Sequence, residues 1–217
     1  MTERFICIVI GYIFGLFQTG YIYGKLHHVD VRSFGSGNAG TTNTMRVLGK
    51  KAGIITYLGD ALKAIVAGVV TMFIYGNNEK TIIFALLLYT GLGVVLGHNF
   101  PFYLKFKGGK GIAASSGVIV ALFDWKLIIL AFLTFIIVTI ISKYVSLGSL
   151  CMMTGFFVEL IIFGQLGLIN RLDPSVKTES YILGFLLMLL AFIRHRANIK
   201  RLITGTERRI GEKKETK

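Results

Sequence analysis

Residues 34–49 read FGSGNAGTTNTMRVLG, and their glycines decide between two kinds of fold. Gly35, Gly37 and Gly40 stand at the spacing of a G-x-G-x-x-G dinucleotide-binding turn, and an acid, Asp60, follows 20 residues after the last of them. Such a turn needs a β-strand ahead of it and an exposed ribose-binding carboxylate behind it. Neither is present. The polar link HHVDVRS precedes the glycines, just after an apolar block, and Asp60 lies inside the next apolar block. The nucleotide reading fails, and the glycines are left as a turn whose backbone N–H groups can approach an anion closely.

The apolar blocks on either side set the fold class. The chain has 217 residues, 53% of the hydrophobic class and 16% charged, with a mean hydropathy of +0.67. Long apolar runs are the pattern of helices crossing lipid. Seven blocks are expected to span: residues 5–24, 53–75, 81–97, 112–123, 127–142, 145–169 and 180–193. The fourth is short, because a span needs ~17–25 residues and runs of ~10–14 are often re-entrant or interfacial. Extending it back toward residue 108 brings in Lys110, whose long stem can snorkel to the interface. The expected fold is an all-α integral membrane protein of about seven transmembrane helices, a single domain over residues 1–217, with 208–217 a flexible basic tail. The first block has only Arg4 before it and no A-x-A site, so it is read as a retained span rather than a cleaved signal peptide. Cys7 and Cys151 sit far apart within apolar blocks and read as small packing residues, not a disulfide framework.

Charge placement orients the chain. The loops after the odd-numbered blocks hold Lys25, Arg32, Arg46, Lys50, Lys51, Lys105, Lys107, Lys110 and Lys143, and nine further cations follow from Arg194 onward. The other side holds only Arg4, Lys80, Lys126, Arg171 and Lys177. The positive-inside rule makes the first side cytoplasmic, with the N-terminus outside and the C-terminus inside. The net charge of +13 is then a cytoplasmic excess. Topology and attraction to anionic headgroups account for part of it. No DNA- or RNA-binding module is visible, so nucleic acid is not an expected partner.

Three polar islands lie on that side. The first, Gly35 to Gly53, offers donors from Ser36, Asn38, Thr41 and Asn43, and Arg46 adds a fork that matches phosphate oxygens. A bland alternative is a Gly-rich turn capping an interfacial helix. The second, GHNFPFYLKFKGGKGIAAS from Gly97 to Ser115, is not a Walker A loop, because Gly111 follows Lys110 where Ser or Thr is required. Lys107, Gly108, Gly109, Lys110 and Gly111 still read as a flexible anion turn opening into a helix N-terminus. Its aromatics also suit an interfacial belt. The third, RHRANIKRLITGTERRI from Arg194 to Ile210, follows the last block directly. His195 and Asn198 share a helical face, and Glu207 is placed to pair with nearby arginines.

These segments, GSGN-x-G-x-TN-x-x-R-x-x-G, then GH-x-FP with KFKGGKG, then RH-x-x-NI-x-RL with G-x-E, resemble the bacterial acyl-phosphate:glycerol-3-phosphate acyltransferase family, often called PlsY. All three occur in order between apolar blocks, so the resemblance covers nearly the whole chain. It implies transfer of a fatty acyl group from acyl phosphate, not acyl-CoA, to the 1-hydroxyl of sn-glycerol 3-phosphate. The products are lysophosphatidic acid and phosphate, in the first acylation of phospholipid synthesis at the cytoplasmic face of the bacterial cell membrane. By the resemblance Ser36 and Arg46 match functional positions of the first motif. Lys110 and its flanking glycines match a glycerol-phosphate-binding segment, His195 and Asn198 match the third motif, and Glu207 matches a structural position.

The residue chemistry suits that reaction. Acyl phosphate already carries a good leaving group, so the enzyme must chiefly position a hydroxyl and neutralise crowded negative charge. Arg46 and Lys110 are expected to supply the charge, with Ser36 and Asn198 donating to phosphate or to the developing oxyanion. No metal or other cofactor is expected: Asp30 and Glu207 are the only cytoplasmic-side acids before the last residues, too few for a Mg²⁺ cluster. No histidine has an Asp five residues on, so the H-x-x-x-x-D acyltransferase pattern is absent. The proton acceptor stays open between His195 and the phosphate of the acyl donor, and no base stands at a readable spacing to activate Ser36 for covalent catalysis. Asp60 and Lys63, inside the second block, read as a structural pair or as the rim of the phosphate site. Glu159 has no evident partner. The rival class is a transporter of an organic phosphate, although its site belongs near the midplane and these polar groups gather on one face.

Overall fold

The structure, a computed structural model, describes residues 1–212, and among them every regular element is helical. In chain order these are α1 (Thr2–Gly15), α2 (Thr19–Leu26), α3 (Thr41–Leu48), α4 (Lys50–Tyr75), α5 (Ile83–Asn99), α6 (Ile112–Ala121), α7 (Trp125–Ser142), α8 (Val145–Gln165), α9 (Lys177–Arg194) and α10 (Arg196–Ile203). Six helical segments are long and apolar enough to cross a membrane: Thr2–Leu26, Lys50–Tyr75, Ile83–Leu104, Trp125–Ser142, Val145–Gln165 and Pro174–Arg194. The fourth expected span is shorter than the rest. Its helix, α6, has 10 residues, or ~15 Å at ~1.5 Å per residue, about half of a ~30 Å hydrocarbon layer. It is enclosed by protein, which lets its ends be satisfied away from lipid.

α5 is the central element, its apolar side chains buried nearly all round by α1, α4, α6 and α9. In lipid two apolar helices gain little from leaving solvent, so close backbone contact decides which faces meet. α1 and α5 meet through glycines. A Cβ on Gly11 would stand 2.0 Å from the Thr90 carbonyl oxygen, and one on Gly93 would stand 2.2 Å from that of Ile8. α7 lies at the opposite extreme, with Leu133, Ile136, Ile137, Ile140 and Ile141 exposed along it, as expected of a lipid-facing helix.

The first span is not continuous. The apolar run of residues 5–24 predicts one helix, whereas α1 stops at Gly15 and α2 restarts at Thr19. The released carbonyls are met by side chains. Lys63 on α4 donates to the Gly15 and Phe17 carbonyls, and the Gln18 amide donates to the Gly15 and His98 carbonyls. Asp60 accepts from the Thr19 hydroxyl at 3.1 Å. A broken helix persists at membrane depth only when neighbours satisfy its backbone in this way.

The basic tail is partly held. Ile210 N–H donates to the Lys143 carbonyl at 2.9 Å, and Arg209 Nε donates to the Tyr144 hydroxyl at 3.2 Å. Residues 208–212 are exposed and carry these two contacts, and residues 213–217 lie outside the described residues. Arg4 at the start of α1 pairs with Glu179 at the start of α9, so the N-terminus and the end of α9 stand at opposite ends of the bundle. Glu159 Oε2, within α8, is enclosed without a hydrogen-bond partner among the described residues.

Because the α1–α5 contact tolerates no side chain, Gly11→Val is expected to destabilise the bundle by ~1–3 kcal/mol or more, the usual cost of overpacking. Val9→Leu, on the exposed face of the same helix, leaves it unchanged. Thermal unfolding in detergent measures both.

Candidate active site

Each polar island folds around its own backbone before it meets the others. In the first, Asn43 is buried and ties the loop together. Its amide nitrogen donates to the Val31 and Phe34 carbonyls at 2.8 and 3.0 Å, and its oxygen accepts from Ser36 N–H at 2.8 Å. Gly35 turns through a left-handed φ of +63°, and a Cβ there would stand 2.2 Å from the Asn43 oxygen. Asn38 accepts from Gly40 N–H at 2.7 Å. Thr41 Oγ1 is enclosed without a partner among the described residues. Gly37, Asn38, Gly40, Thr41 and Asn43 thus shape the turn, while Gly35, Ser36 and Arg46 on α3 reach the cavity described below.

The second island is a turn clamped from both sides. Gly108 and Gly109 N–H donate to the Asn99 and His98 carbonyls at 3.2 and 3.0 Å. From the other side the Arg194 guanidinium donates to the Gly108 carbonyl at 2.9 Å and to the Gly109 carbonyl at 2.9 and 3.1 Å. The same guanidinium lies over the Phe100 ring. With its neighbours fixed, Lys110 projects to the third island. Gly111, at φ +85°, carries the chain into α6. Lys107 is exposed and stands apart from the cavity wall.

The third island supplies the partner. Lys110 Nζ donates to Asn198 Oδ1 at 2.6 Å, and Asn198 Nδ2 donates to Glu207 Oε1 at 2.6 Å. Glu207 also accepts from Ser146 Oγ at 2.9 Å and from Arg201 Nε at 2.6 Å. The Asn198 amide is therefore engaged at both ends, with one N–H left over for a ligand. His195 is buried outside the cavity wall, and its Nδ1–H donates to the Ala191 carbonyl at 2.8 Å. That bond leaves the lone pair of the neutral ring on Nε2.

The three islands enclose one cavity of about 520 Å³. Among the described residues its wall holds five cations, Arg46, Lys110, Arg194, Arg201 and Arg208, and a single carboxylate, Glu207. Ser36, Gly35, Asn198, Ala197 and Thr206 complete it. The charges act on one another. Burial, opposed by Glu207 and reinforced by Arg201, Arg46 and Arg194, pushes the Lys110 ammonium down to about 8. Burial and then the Lys110 charge push His195 down to about 4, so its ring is neutral at pH 7. Partial burial and then Arg208 lower Arg46. For Glu207 burial acts upward, but the hydrogen bonds from Asn198, Arg201 and Ser146 prevail and hold the carboxyl below its ordinary value. Unbalanced positive charge in a partly desolvated concavity is a site for anions.

Several contributors escape the sequence reading. Arg194, Arg201 and Arg208 stand in the third island, yet a stretch with so many cations gives no sign of which ones face inward. Ser146 comes from the start of α8, outside all three islands. His98 stands in the second island and turns out to meet Asp60 and Lys63 beneath the site: Lys63 Nζ lies 3.0 Å from Asp60 Oδ1 and 2.9 Å from His98 Nδ1.

Replacing Glu207 with Ala removes an acceptor of three hydrogen bonds and leaves Arg201 and Asn198 unpaired. The expected loss is ~1–3 kcal/mol, read as a lower thermal unfolding midpoint, with Glu207→Gln keeping an acceptor oxygen and losing less.

Residues 5–205 match the family described as glycerol-3-phosphate acyltransferase. A glycerol-3-phosphate acyltransferase of Thermoanaerobacter sp. (strain X514) is 38% identical over 210 residues, which cover 96% of each chain. Two crystal structures of PlsY, an integral membrane glycerol 3-phosphate acyltransferase, share the fold. The glycerol 3-phosphate form aligns with a TM-score of 0.79 at 33% identity over 96% of each chain. The lysophosphatidic acid form aligns with a TM-score of 0.80 at 32% identity, over 96% of this chain and 95% of that one.

Proposed function

The chain belongs to the glycerol-3-phosphate acyltransferase family, and from that premise we propose that it transfers a fatty acyl group from acyl phosphate to the 1-hydroxyl of sn-glycerol 3-phosphate. The products are lysophosphatidic acid and inorganic phosphate, and the step is the first acylation of phospholipid synthesis. The observation that carries the reading is the cavity, where five cations surround one carboxylate as two phosphorylated substrates require. The excess of Lys and Arg at this end supports a cytoplasmic-facing site in the cell membrane.

Arg46 and Lys110 hold phosphate oxygens, Ser36 donates to phosphate or to the oxyanion that forms on the acyl carbonyl, and Asn198 keeps Lys110 in place. Of the turn glycines Gly35 reaches the cavity wall, while Gly108 and Gly109, whose N–H groups are taken by the Asn99 and His98 carbonyls, act by placing Lys110. The substrate hydroxyl oxygen attacks the acyl carbon, the bond from that carbon to the phosphate oxygen breaks, and phosphate leaves. The hydroxyl proton goes to the departing phosphate. Burial and the Lys110 charge push His195 down to about 4, which disfavours it as the acceptor beside a phosphate whose second pKa is ~6. The role left to His195 is to accept a hydrogen bond through Nε2 and align the attacking hydroxyl.

The test is purified protein in detergent with glycerol 3-phosphate and either acyl phosphate or acyl-CoA. Lysophosphatidic acid and phosphate formed from acyl phosphate alone support the proposal. Product from acyl-CoA overturns the donor assignment, and vesicle uptake of glycerol 3-phosphate without product favours the transporter class. Lys110→Met is expected to lower kcat/KM by ~10–100-fold, the loss of a charge-assisted hydrogen bond.

The pH dependence has a definite sign. Protonated Lys110 binds a dianion, so KM for glycerol 3-phosphate stays low below about 8 and rises as the pH passes through that value. Lys110→Arg keeps the cation at all accessible pH, and its KM profile loses that alkaline limb.

A further inference from the structure

The buried cluster below the cavity links both glycine turns. Lys63 is 6% exposed, Asp60 1% and His98 2%. One ammonium serves four acceptors: Asp60 Oδ1 at 3.0 Å, His98 Nδ1 at 2.9 Å, and the Phe17 and Gly15 carbonyls at 2.5 and 3.3 Å. Because an ammonium only donates, His98 Nδ1 must accept, and its proton sits on Nε2. That edge of the ring faces the Gly108–Gly109 turn. A Cβ added to Gly109 would stand 1.9 Å from His98 Nε2, and Gly109 N–H donates to the His98 carbonyl at 3.0 Å. On the other flank Asp60 holds Thr19, the first residue of α2. The next residue, Gly20, lies so close to the Ser36 loop that a Cβ there would be 2.0 Å from the Ala39 carbonyl oxygen.

We propose that the Asp60–Lys63–His98 cluster is the positioning device of the catalytic site. Through the His98 ring it sets where the Gly108–Gly109 turn and hence Lys110 stand, and through the mended break in the first span it sets where the Ser36 loop ends at Ala39. None of the three residues lines the cavity. They act through Lys110 and Ser36, so their loss shows in substrate use and not only in stability. The inference rests on the glycerol 3-phosphate reading of the site for its kinetic arm alone.

The geometry distinguishes a positioning role from simple packing. An Asn at position 98 places an oxygen acceptor where Nδ1 stands and leaves empty the space of Nε2. His98→Asn therefore keeps the Lys63 contact, and His98→Leu loses it. A Gly109→Ala variant collides with the imidazole, whereas Gly109→Ala combined with His98→Asn has room for the new methyl group.

The experiment uses the full chain in detergent, with steady-state kinetics on acyl phosphate and glycerol 3-phosphate beside hydrogen-exchange mass spectrometry of the segments 15–20 and 107–111. His98→Leu is expected to raise KM for glycerol 3-phosphate by ~10-fold or more, with a smaller change in kcat, while His98→Asn stays within ~3-fold of the parent. Gly109→Ala is expected to lose ~100-fold in kcat/KM and to regain most of it when His98→Asn is added. Exchange in 107–111 speeds up in His98→Leu, and in both segments in Lys63→Met. Equal defects in His98→Leu and His98→Asn, no rescue of Gly109→Ala, or unaltered exchange at 107–111 would overturn the proposal. A parent protein that makes no lysophosphatidic acid sinks the substrate reading instead, and the exchange pattern then decides the positioning role by itself. Should His98→Leu fail to fold, the Gly109→Ala pair and its exchange still decide between positioning and packing.

Discussion

Among the described residues Glu207 is the one carboxylate in the wall of a cavity that also holds five cations, and the site depends on where it sits. Without a central acceptor, like charges drawn from three distant segments would push one another apart. Glu207 binds Asn198, Arg201 and Ser146, and Asn198 passes the connection on to Lys110. This chain of contacts fastens the post-α10 segment, α10, the start of α8 and the second glycine turn to a common point. It neutralises one charge and leaves the remainder exposed to an incoming anion. The wall keeps a surplus of positive charge, a setting that favours anions.

A second constraint comes from the bilayer. Membrane-embedded ions are expensive unless they face protein and find partners, and a broken helix is equally expensive unless its carbonyls find donors. Here the two costs offset each other. Lys63 and Asp60 satisfy the ends exposed between α1 and α2, and the break in turn gives them partners. The outcome is a floor beneath the cavity made of backbone carbonyls and buried charges instead of apolar packing.

Much of this was legible in the sequence. The apolar blocks pointed to the all-helical membrane fold, and the three polar islands pointed to Ser36, Arg46, Lys110 and Asn198, which reach one cavity, to Glu207 as a structural residue, which reaches it too, and to His195, which stands outside its wall. The break at residues 16–18 was not legible, because Ile13 to Phe17 is apolar in pattern and the cause lies on α4. The reduced length of α6 was visible as a short block, but not its enclosure. The contacts of Arg209 and Ile210 with Tyr144 and Lys143, over 60 residues earlier, have no local signature. The clamp from Arg194 to the Gly108 and Gly109 carbonyls joins residues 85 or 86 apart, a pairing with no local signature. His98 shows the same limit: its place in a polar island says nothing of direction, and only packing reveals that its ring meets Lys63.

The central claim is that the three islands close on a phosphorylated substrate at one face of the membrane. It is tested most directly with Ala197→Cys, which adds a thiol to the cavity wall, in a chain whose Cys7 and Cys151 are replaced. Lys105→Cys, an exposed position apart from the wall, is the control. In sealed inverted vesicles a membrane-impermeant maleimide is expected to label both, and glycerol 3-phosphate is expected to protect position 197 but not 105. Labelling of position 197 only from the opposite side, or equal labelling with and without glycerol 3-phosphate, would contradict the claim.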